Sequence, residues 1–432
     1  MRIDQLIFKQ PIYTTLFGFF VYDLGKFISI FTNYENILRA FGLIIITIGL
    51  SRCKFKKRHQ IPSYIRKFLN VYQIWLLILV LGTIIRALLQ YDSMPLSLAE
   101  TLRYLAFYEH SPLLHFFPLA LRLEWDISLL RNFWRLGIFF LVANGIILFL
   151  FSGLLFYGIT NQGQTTLASD SAETGYYDLR SLLPLIFLGS SFVGIRYNLL
   201  LYNKKLFVIL IFLYFLLLYV LTIAGGSRGG LFMGLLGLLA PFVGMVSNFR
   251  GIFISLSGVI LIFIFFNLLF NSQVGEYTSD RLFEDKRELK LNESTREFFT
   301  ESMIQDFSAK PFDYLFGRGA FGVYELLNTK DKRPDIEWGF LWFILKGGVV
   351  YLILYVMFNV YAMYLGLFKS NNAYCKVIGY SALLRVIALV PFGIPFFGFG
   401  LFAGTLISGL LFYSNFRKLN DQQLKVIIVG GK

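Results

Sequence analysis

The segment "LTIAGGSRGGLFMGLLGLLAPF", residues 221–242, is apolar for most of its length, yet it places Ser227 and Arg228 between two glycine pairs. Apolar runs of about 20 residues can cross a hydrocarbon layer of about 30 Å as a helix. A charge inside such a run is costly unless it escapes the hydrocarbon or finds a partner. The segment therefore predicts two membrane-spanning helices joined by a tight turn at Arg228.

The composition of the whole chain supports this interpretation. Of the 432 residues, 56% are hydrophobic and only 15% are charged, which is outside the usual range of soluble domains. We therefore predict an all-α, polytopic integral membrane protein with about twelve transmembrane helices and one large helical loop on the periplasmic or extracellular side. The predicted spans lie near residues 12–32, 36–52, 68–90, 105–121, 136–159, 181–201, 206–225, 229–247, 251–271, 337–359, 376–392 and 396–415.

This pattern divides the chain into four parts. Residues 1–271 hold transmembrane helices 1–9, residues 272–335 form the large external loop, residues 336–416 hold helices 10–12, and residues 417–432 form a cytoplasmic tail. The first and fourth spans carry charges, a histidine or a proline, so either could be tilted, broken or re-entrant. No cleaved signal peptide is predicted.

The basic connections set the predicted orientation. They all fall on one side if the spans alternate, and the positive-inside rule makes that side cytoplasmic, together with both termini. The external loop holds 13 of the 26 acidic residues but only 10 of the 40 basic ones, so the net charge of +14 reflects topology and predicts no nucleic-acid partner. The basic connections are residues 51–59 with Arg66 and Lys67, Arg131 and Arg135, residues 203–205, Arg250, Lys369 and residues 417–418.

The turn at Arg228 has the features of an anion site. Gly226 and Gly229 allow a sharp turn and close approach of a ligand to the backbone, and the free amides at the start of the following helix favour anions. Ser227 adds a hydroxyl. The alternative is that Arg228 reaches lipid headgroups while the glycines serve helix packing.

The external loop contributes further candidates. "NESTREFFTESMIQDF", residues 292–307, has apolar positions at helical spacing and predicts an amphipathic helix that ends before Pro311. Arg296 in this helix and Arg318 in the glycine-rich "FGRGAFG", residues 316–322, are the arginines best placed to face a ligand. For each of them a structural salt bridge is the alternative.

Glu337 stands where the loop re-enters the membrane and is followed by Trp338. A partly desolvated carboxylate there has a raised pKa that suits a general base. Equally, Glu337 could favour the helix N-terminus and Trp338 could be an interfacial anchor. Among the charges inside predicted spans, Arg385 is expected to point into an internal anion site.

The order of these elements resembles the bacterial O-antigen polymerase and O-antigen ligase superfamily. The ligase motif opens with a histidine where this chain has Glu337, so the resemblance favours a polymerase over a ligase. The matching stretches are "GGSRGG" at 225–230, "STREFF" at 294–299, "KPFDYLFGRGAFG" at 310–322 and "EWGFLWFILKGGVVY" at 337–351.

The resemblance implies a GT-C-like membrane glycosyltransferase of the bacterial inner membrane that needs neither metal nor other cofactor. It would join undecaprenyl diphosphate-linked oligosaccharide repeat units on the outer face, amid membrane lipids and with a chain-length regulator as an optional partner. Arg228 would bind the donor diphosphate, Arg296 would be a second phosphate contact, and Glu337 would be the general base.

Two other functions stay open. A ligase would pass the finished glycan to lipid A-core or to protein. A transporter or flippase for the lipid-linked oligosaccharide would also need a cationic cavity. Transporters, however, commonly show two similar halves, whereas this chain concentrates its polar residues in one outer insertion.

Overall fold

A computed structural model describes residues 11–28, 35–89, 97–108, 110–124, 236, 243, 286–327, 331–336, 338–390 and 397–429. This part of the chain is mostly helical, in agreement with the predicted all-α class. Its α-helices are α1 (Pro11–Ile28), α2 (Glu35–Arg52), α3 (Ser63–Leu88), α4 (Leu98–Phe107), α5 (Lys286–Ser308), α6 (Phe312–Phe316), α7 (Gly339–Phe368), α8 (Ala373–Ile387), α9 (Phe399–Leu410), α10 (Ser414–Lys418) and α11 (Asp421–Val429).

The remaining regular elements are short. Two 3₁₀ helices cover Arg58–Gln60 and Pro112–Arg122. The strands β1 (Tyr324–Glu325) and β2 (Lys332–Arg333) pair in antiparallel fashion. Both strands lie in the predicted external loop, so the loop folds back on itself just before α7.

Two described helices, α3 and α7, are long and apolar enough to cross a membrane, and α9 is a shorter apolar helix. Large apolar side chains of α3, including Ile74, Leu77 and Leu88, are more than half exposed. A broad exposed apolar surface of this kind is typical of a membrane or protein contact. The two helices favour membrane association, whereas a count of twelve spans stays a prediction.

A buried acid in α1 explains how that helix carries a charge. The carboxylate of Asp23 accepts a hydrogen bond from the backbone N–H of Phe399, 2.8 Å away, at the start of α9. The first amides of a helix lack internal partners and carry partial positive charge. Asp23 is 8% exposed, so it joins α1 to α9 inside the protein.

The fourth predicted span, near residues 105–121, is not one α-helix, and this corrects the boundary. α4 ends at Phe107, and Pro112–Arg122 is a 3₁₀ helix that contains Pro118. Each proline removes a backbone donor and clashes with the preceding turn of an α-helix. The α-helix thus ends before Pro112, and the segment continues as a 3₁₀ helix through Pro118. A broken span was one of the possibilities that the sequence had left open.

The helix predicted in the external loop is confirmed. α5 covers the amphipathic segment, and its apolar positions Met303 and Phe307 are buried. α5 ends at Ser308, and Pro311 caps the N-terminus of the short α6. The loop thus packs an apolar face against the helices instead of extending freely.

Candidate functional site

The most unusual backbone in the described chain is a break within α7. Gly348 has φ +73° and ψ 179°, which is outside the helical region. A break of this kind leaves helix carbonyls without their internal donors, and in a membrane such groups need other partners. The break is therefore a place where another segment must dock.

The docking segment comes from the external loop. The backbone N–H of Arg318 donates to the carbonyl of Leu345 at 2.7 Å, and that of Gly319 donates to the carbonyl of Lys346 at 3.0 Å. The indole Nε1 of Trp75 in α3 donates to the carbonyl of Gly347 at 3.1 Å. Three consecutive carbonyls at the break are thus satisfied from outside α7.

Glycines allow this close approach of the two backbones. A Cβ atom on Gly348 would collide with the carbonyl of Leu315, and one on Gly317 would lie 2.5 Å from the backbone nitrogen of Gly347. Gly317 also has φ +69°, which other residues adopt only with strain. The contact therefore requires glycine on both sides.

Arg318 lies at the centre of an ion-pair cluster beside the break. Its Nε donates to Asp313 at 2.7 Å and its Nη1 donates to Asp306 at 2.6 Å. Asp313 also accepts from Arg86 of α3 at 2.5 Å. Arg318 is 1% exposed, and its guanidinium lies 4.4 Å from the ring centroid of Phe307. The geometry gives Arg318 a structural role that ties the loop to α3.

The two carboxylates of this cluster are well supplied with donors. Besides Arg318, Asp306 accepts from the backbone N–H of Glu325 at 2.9 Å. Burial alone would raise the pKa of Asp306, but the hydrogen bonds from Arg318 and Glu325 and the charge of Arg318 hold it below its ordinary value. Asp306 is therefore ionised at neutral pH and suits an ion pair better than acid catalysis.

A third acid beside the break, Asp335, was also not predicted from the sequence. Asp335 lies just before α7, and its Oδ1 accepts from the indole Nε1 of Trp342 at 3.3 Å. Burial raises the pKa of Asp335, although the charge of Lys346 and the bond from Trp342 oppose the shift. The only signal in the sequence was its position two residues before Glu337, at the membrane re-entry.

Lys346 of α7 adds a further hydrogen bond between α7 and the loop. Its Nζ donates to the carbonyl of Gly322 at 3.0 Å, and the residue is 1% exposed. The loop element 310–322 is therefore attached to α7 through Lys346 as well as through the break. The cost of burying this ammonium is offset by a direct carbonyl contact and by the nearby carboxylate of Asp335.

Aromatic side chains fill the space behind the break. The Nδ1 atom of His115 lies 2.8 Å from the hydroxyl of Tyr351. The rings of Trp75 and Tyr351 are stacked with centroids 4.1 Å apart, and His115 stacks on Trp342 at 5.8 Å. These contacts join α3, the 3₁₀ helix Pro112–Arg122 and both halves of α7.

The structure describes three of the predicted site residues fully. Arg318 lies in the ion cluster, and Trp338 is the half-buried N-cap residue of α7, 5.5 Å from the ring of Phe340. Arg296 lies in α5, but its side chain is outside what the structure describes. Five more predicted site residues lie outside the described residues: Gly226, Ser227, Arg228, Gly229 and Glu337.

Arg385 occupies a different place, in the last turn of α8. Its Nη2 bonds to the hydroxyl of Ser408 in α9, and its Nε has no hydrogen-bond partner within the described residues. It lines a mainly apolar cavity of about 30 Å³ together with Asn359 and Thr405. That volume holds a water or two. The assignment of Arg385 to an internal anion site stays a prediction.

Among the described residues, no group of three His, Cys, Asp or Glu side chains could hold a metal ion. No protein-family model matches the chain, and no curated protein or solved structure shows significant similarity to it.

Proposed function

We propose that this protein is a polytopic membrane glycosyltransferase of the O-antigen polymerase kind. It joins undecaprenyl diphosphate-linked oligosaccharide repeat units on the outer face of the bacterial inner membrane, with both termini in the cytoplasm. Glycosyl transfer is metal-independent, because arginines neutralise the leaving diphosphate. The proposal includes a GT-C-like arrangement of about twelve spans.

The observation that carries the proposal is the direct contact between two of its four motif stretches. Segment 310–322 donates two backbone hydrogen bonds to the broken turn of segment 337–351, and glycines in both segments allow it. Stretches that served unrelated structural needs would not have to meet. Their meeting supports the view that the four motif stretches belong to one site.

The charges at this contact support a division of roles. Arg86, Arg318 and Lys346 are matched by Asp306, Asp313 and Asp335, which lie in contact with them or nearby. A balanced cluster has little charge to offer a diphosphate. We therefore assign Arg318 to positioning of the loop and keep Arg228 and Arg296 as the phosphate ligands.

In the proposed reaction, Glu337 takes the proton from the acceptor hydroxyl as that oxygen attacks the anomeric carbon of the donor. The bond from this carbon to the diphosphate breaks, and the electron pair leaves with the diphosphate, whose charge Arg228 and Arg296 stabilise. Trp338, which follows Glu337 in the sequence, would contact the acceptor sugar in this proposal.

The test is an assay of the purified full chain with an undecaprenyl diphosphate-linked repeat unit. Polymerisation gives a ladder of lengthened products, which disappears in Arg228→Ala and weakens in Glu337→Gln. Two control variants remove an arginine and a carboxylate outside the proposed site. Arg250→Ala changes a predicted cytoplasmic arginine, and Glu325→Gln changes an exposed carboxylate of β1.

Other outcomes decide against the proposal. A product that forms only when lipid A-core is added identifies a ligase, and movement of intact substrate between leaflets identifies a transporter. A full ladder from Arg228→Ala refutes the donor-site assignment.

A further inference from the structure

A second group of cations surrounds a cavity of about 490 Å³ at the other end of α3. Arg66 lies twenty residues before Arg86 on this helix, which corresponds to about 30 Å of helix rise. The cavity is therefore remote from the ion-pair cluster at Arg86, and it shares no lining residue with the break in α7, where Trp75 donates to Gly347. It is independent of the proposed function. Its lining residues are Phe55, Lys56, Arg58, Ile61, Arg66, Leu69, Asn70 and Arg122.

The walls of this cavity are fixed by backbone pairing between distant segments. Phe55 and Leu123 form an antiparallel bridge. The N–H of Lys56 donates to the carbonyl of Arg122 at 2.7 Å, and the N–H of Glu124 donates to the carbonyl of Lys54 at 2.7 Å. The chain that follows α2 is thus hydrogen-bonded to the end of the 3₁₀ helix Pro112–Arg122. These backbone bonds fix the positions of the cations around the cavity.

The cavity has an apolar floor and a cationic rim. Leu69 is fully buried and Ile61 is 9% exposed, whereas Phe55 is 69% exposed at the edge. A volume of this size is within the range of about 300–1,000 Å³ found for small-molecule sites. The cavity can therefore take a phosphate group together with part of the body that carries it.

Neutral groups hold two of the four cations. Lys56 donates to the hydroxyl of Tyr413 at 3.1 Å and lies 5.1 Å from its ring centroid. Arg122 donates to the amide oxygen of Gln73 at 2.8 Å. Burial lowers the pKa of Lys56 to about 8, although the nearby carboxylate of Glu124 opposes the shift. These contacts fix the position of both cations at the cavity wall.

The described lining of the cavity is positively charged and therefore favours an anion. Four of its eight lining residues are cations, and no carboxylate lines it among the described residues. Arginine forks match phosphate oxygens in bidentate geometry, and lysine contributes a point charge. We propose that this cavity binds a phosphate-bearing anion, either a phosphate headgroup of a membrane lipid or a soluble phosphate compound.

The test uses the purified full chain and two probes. Inorganic pyrophosphate is titrated into the protein in neutral detergent, with binding followed by calorimetry. Dioleoyl phosphatidic acid is offered in mixed micelles, and retained lipid is counted by native mass spectrometry. The variants are Arg66→Gln, Arg66→Lys and the double variant Arg66→Gln/Arg122→Gln. Lys67→Gln is the matched control, because Lys67 is the exposed neighbour of Arg66 and does not line the cavity.

Arg66→Gln is expected to lower the affinity for the bound probe about tenfold or more, because it removes a charge-assisted hydrogen bond. The double variant weakens it further, Arg66→Lys retains part of the affinity, and Lys67→Gln retains all of it. Weakening in the lipid arm alone identifies a lipid headgroup, and weakening in the pyrophosphate arm alone identifies a soluble ligand.

The proposal is overturned if neither probe binds the wild type, or if Lys67→Gln and Arg66→Gln weaken binding equally. Size-exclusion elution identical to the wild type is required of each variant, and the retained affinity of Arg66→Lys separates a lost phosphate contact from lost folding.

Discussion

The two ends of α3 carry cations in opposite electrostatic settings. At the end that carries Arg86, Arg86 and Arg318 are bonded to buried or half-buried aspartates. At the other end, Arg66 and Arg58 line an open cavity whose described lining contains no carboxylate. Cations of the same type thus stabilise the fold in one place and are left for a ligand in the other.

The physical basis of this difference is desolvation. A buried charge is tolerated only when it is paired and hydrogen-bonded, and breaking the pair is costly. A half-exposed charge keeps its water and contributes little to stability. Substitutions at the two ends should therefore affect different properties, stability near the break and ligand affinity at the cavity.

The largest contrast is expected between Arg318→Met and Arg66→Met. Loss of Arg318 leaves Asp306 and Asp313 without their shared partner and should lower the free energy of unfolding by about 3–5 kcal/mol. Loss of Arg66 should change it by no more than about 0.5 kcal/mol. Denaturant titration in mild detergent, followed by tryptophan fluorescence, measures both. Equal losses would abolish the distinction between the two ends.

Gly348→Ala tests the close backbone contact at the break. The new Cβ collides with the carbonyl of Leu315 at a positive φ, and strain with overpacking should cost about 2–4 kcal/mol. Gly82→Ala in α3 is the control, since a Cβ there meets nothing within 4 Å, and it should be neutral or slightly stabilising. The same unfolding titration applies. A neutral Gly348→Ala would show that the break does not need glycine.

Thr83→Val tests a smaller link between the loop and α3. The hydroxyl of Thr83 accepts from the backbone N–H of Ala320 at 2.9 Å. Its removal leaves that N–H unpaired and should cost about 1 kcal/mol. Thr47→Val removes an exposed hydroxyl that bonds within its own helix, to the carbonyl of Leu43, and should have no measurable effect. Identical stabilities for the two variants would remove Thr83 from the docking contact.

The smallest effect concerns pH. A carboxyl whose pKa is lowered by folding contributes stability above its unfolded pKa, and that contribution is lost as pH falls through its folded pKa. For Asp306, with an ordinary pKa of 3.8, the contribution is present at neutral pH and is lost only below that value. Asp306→Asn should therefore flatten the acid limb of the stability curve relative to the exposed Glu301→Gln. Parallel curves for the two variants would contradict the ion-pair role of Asp306.

Periodicity and turn chemistry predicted the local structure well. The apolar spacing gave the loop helix that became α5, and the prolines of the fourth span explain its division into α4 and a 3₁₀ helix. The bounds were less accurate, because α7 continues nine residues past the predicted end at residue 359. Hydropathy averages over a window and does not mark where a helix leaves the membrane.

The pairing of charges could be predicted only in part. A salt bridge for Arg318 was one of two alternatives, and Asp313 lies near enough in sequence to suggest it. Arg86, 227 residues from Asp313, gave no sign of being its partner. Asp335 was missed because nothing local distinguishes a solvated aspartate from one that an indole and a lysine surround.

The sequence by itself determined the helical class, the apolar helices and the amphipathic face of α5, because these depend on residues a few positions apart. Only the tertiary structure decided that Gly317 meets Gly348, that Arg318 is neutralised and that Arg66 lines a cavity with no carboxylate among its described lining residues. These outcomes depend on which segments, far apart in the sequence, pack together away from water. Composition and local spacing do not specify those contacts.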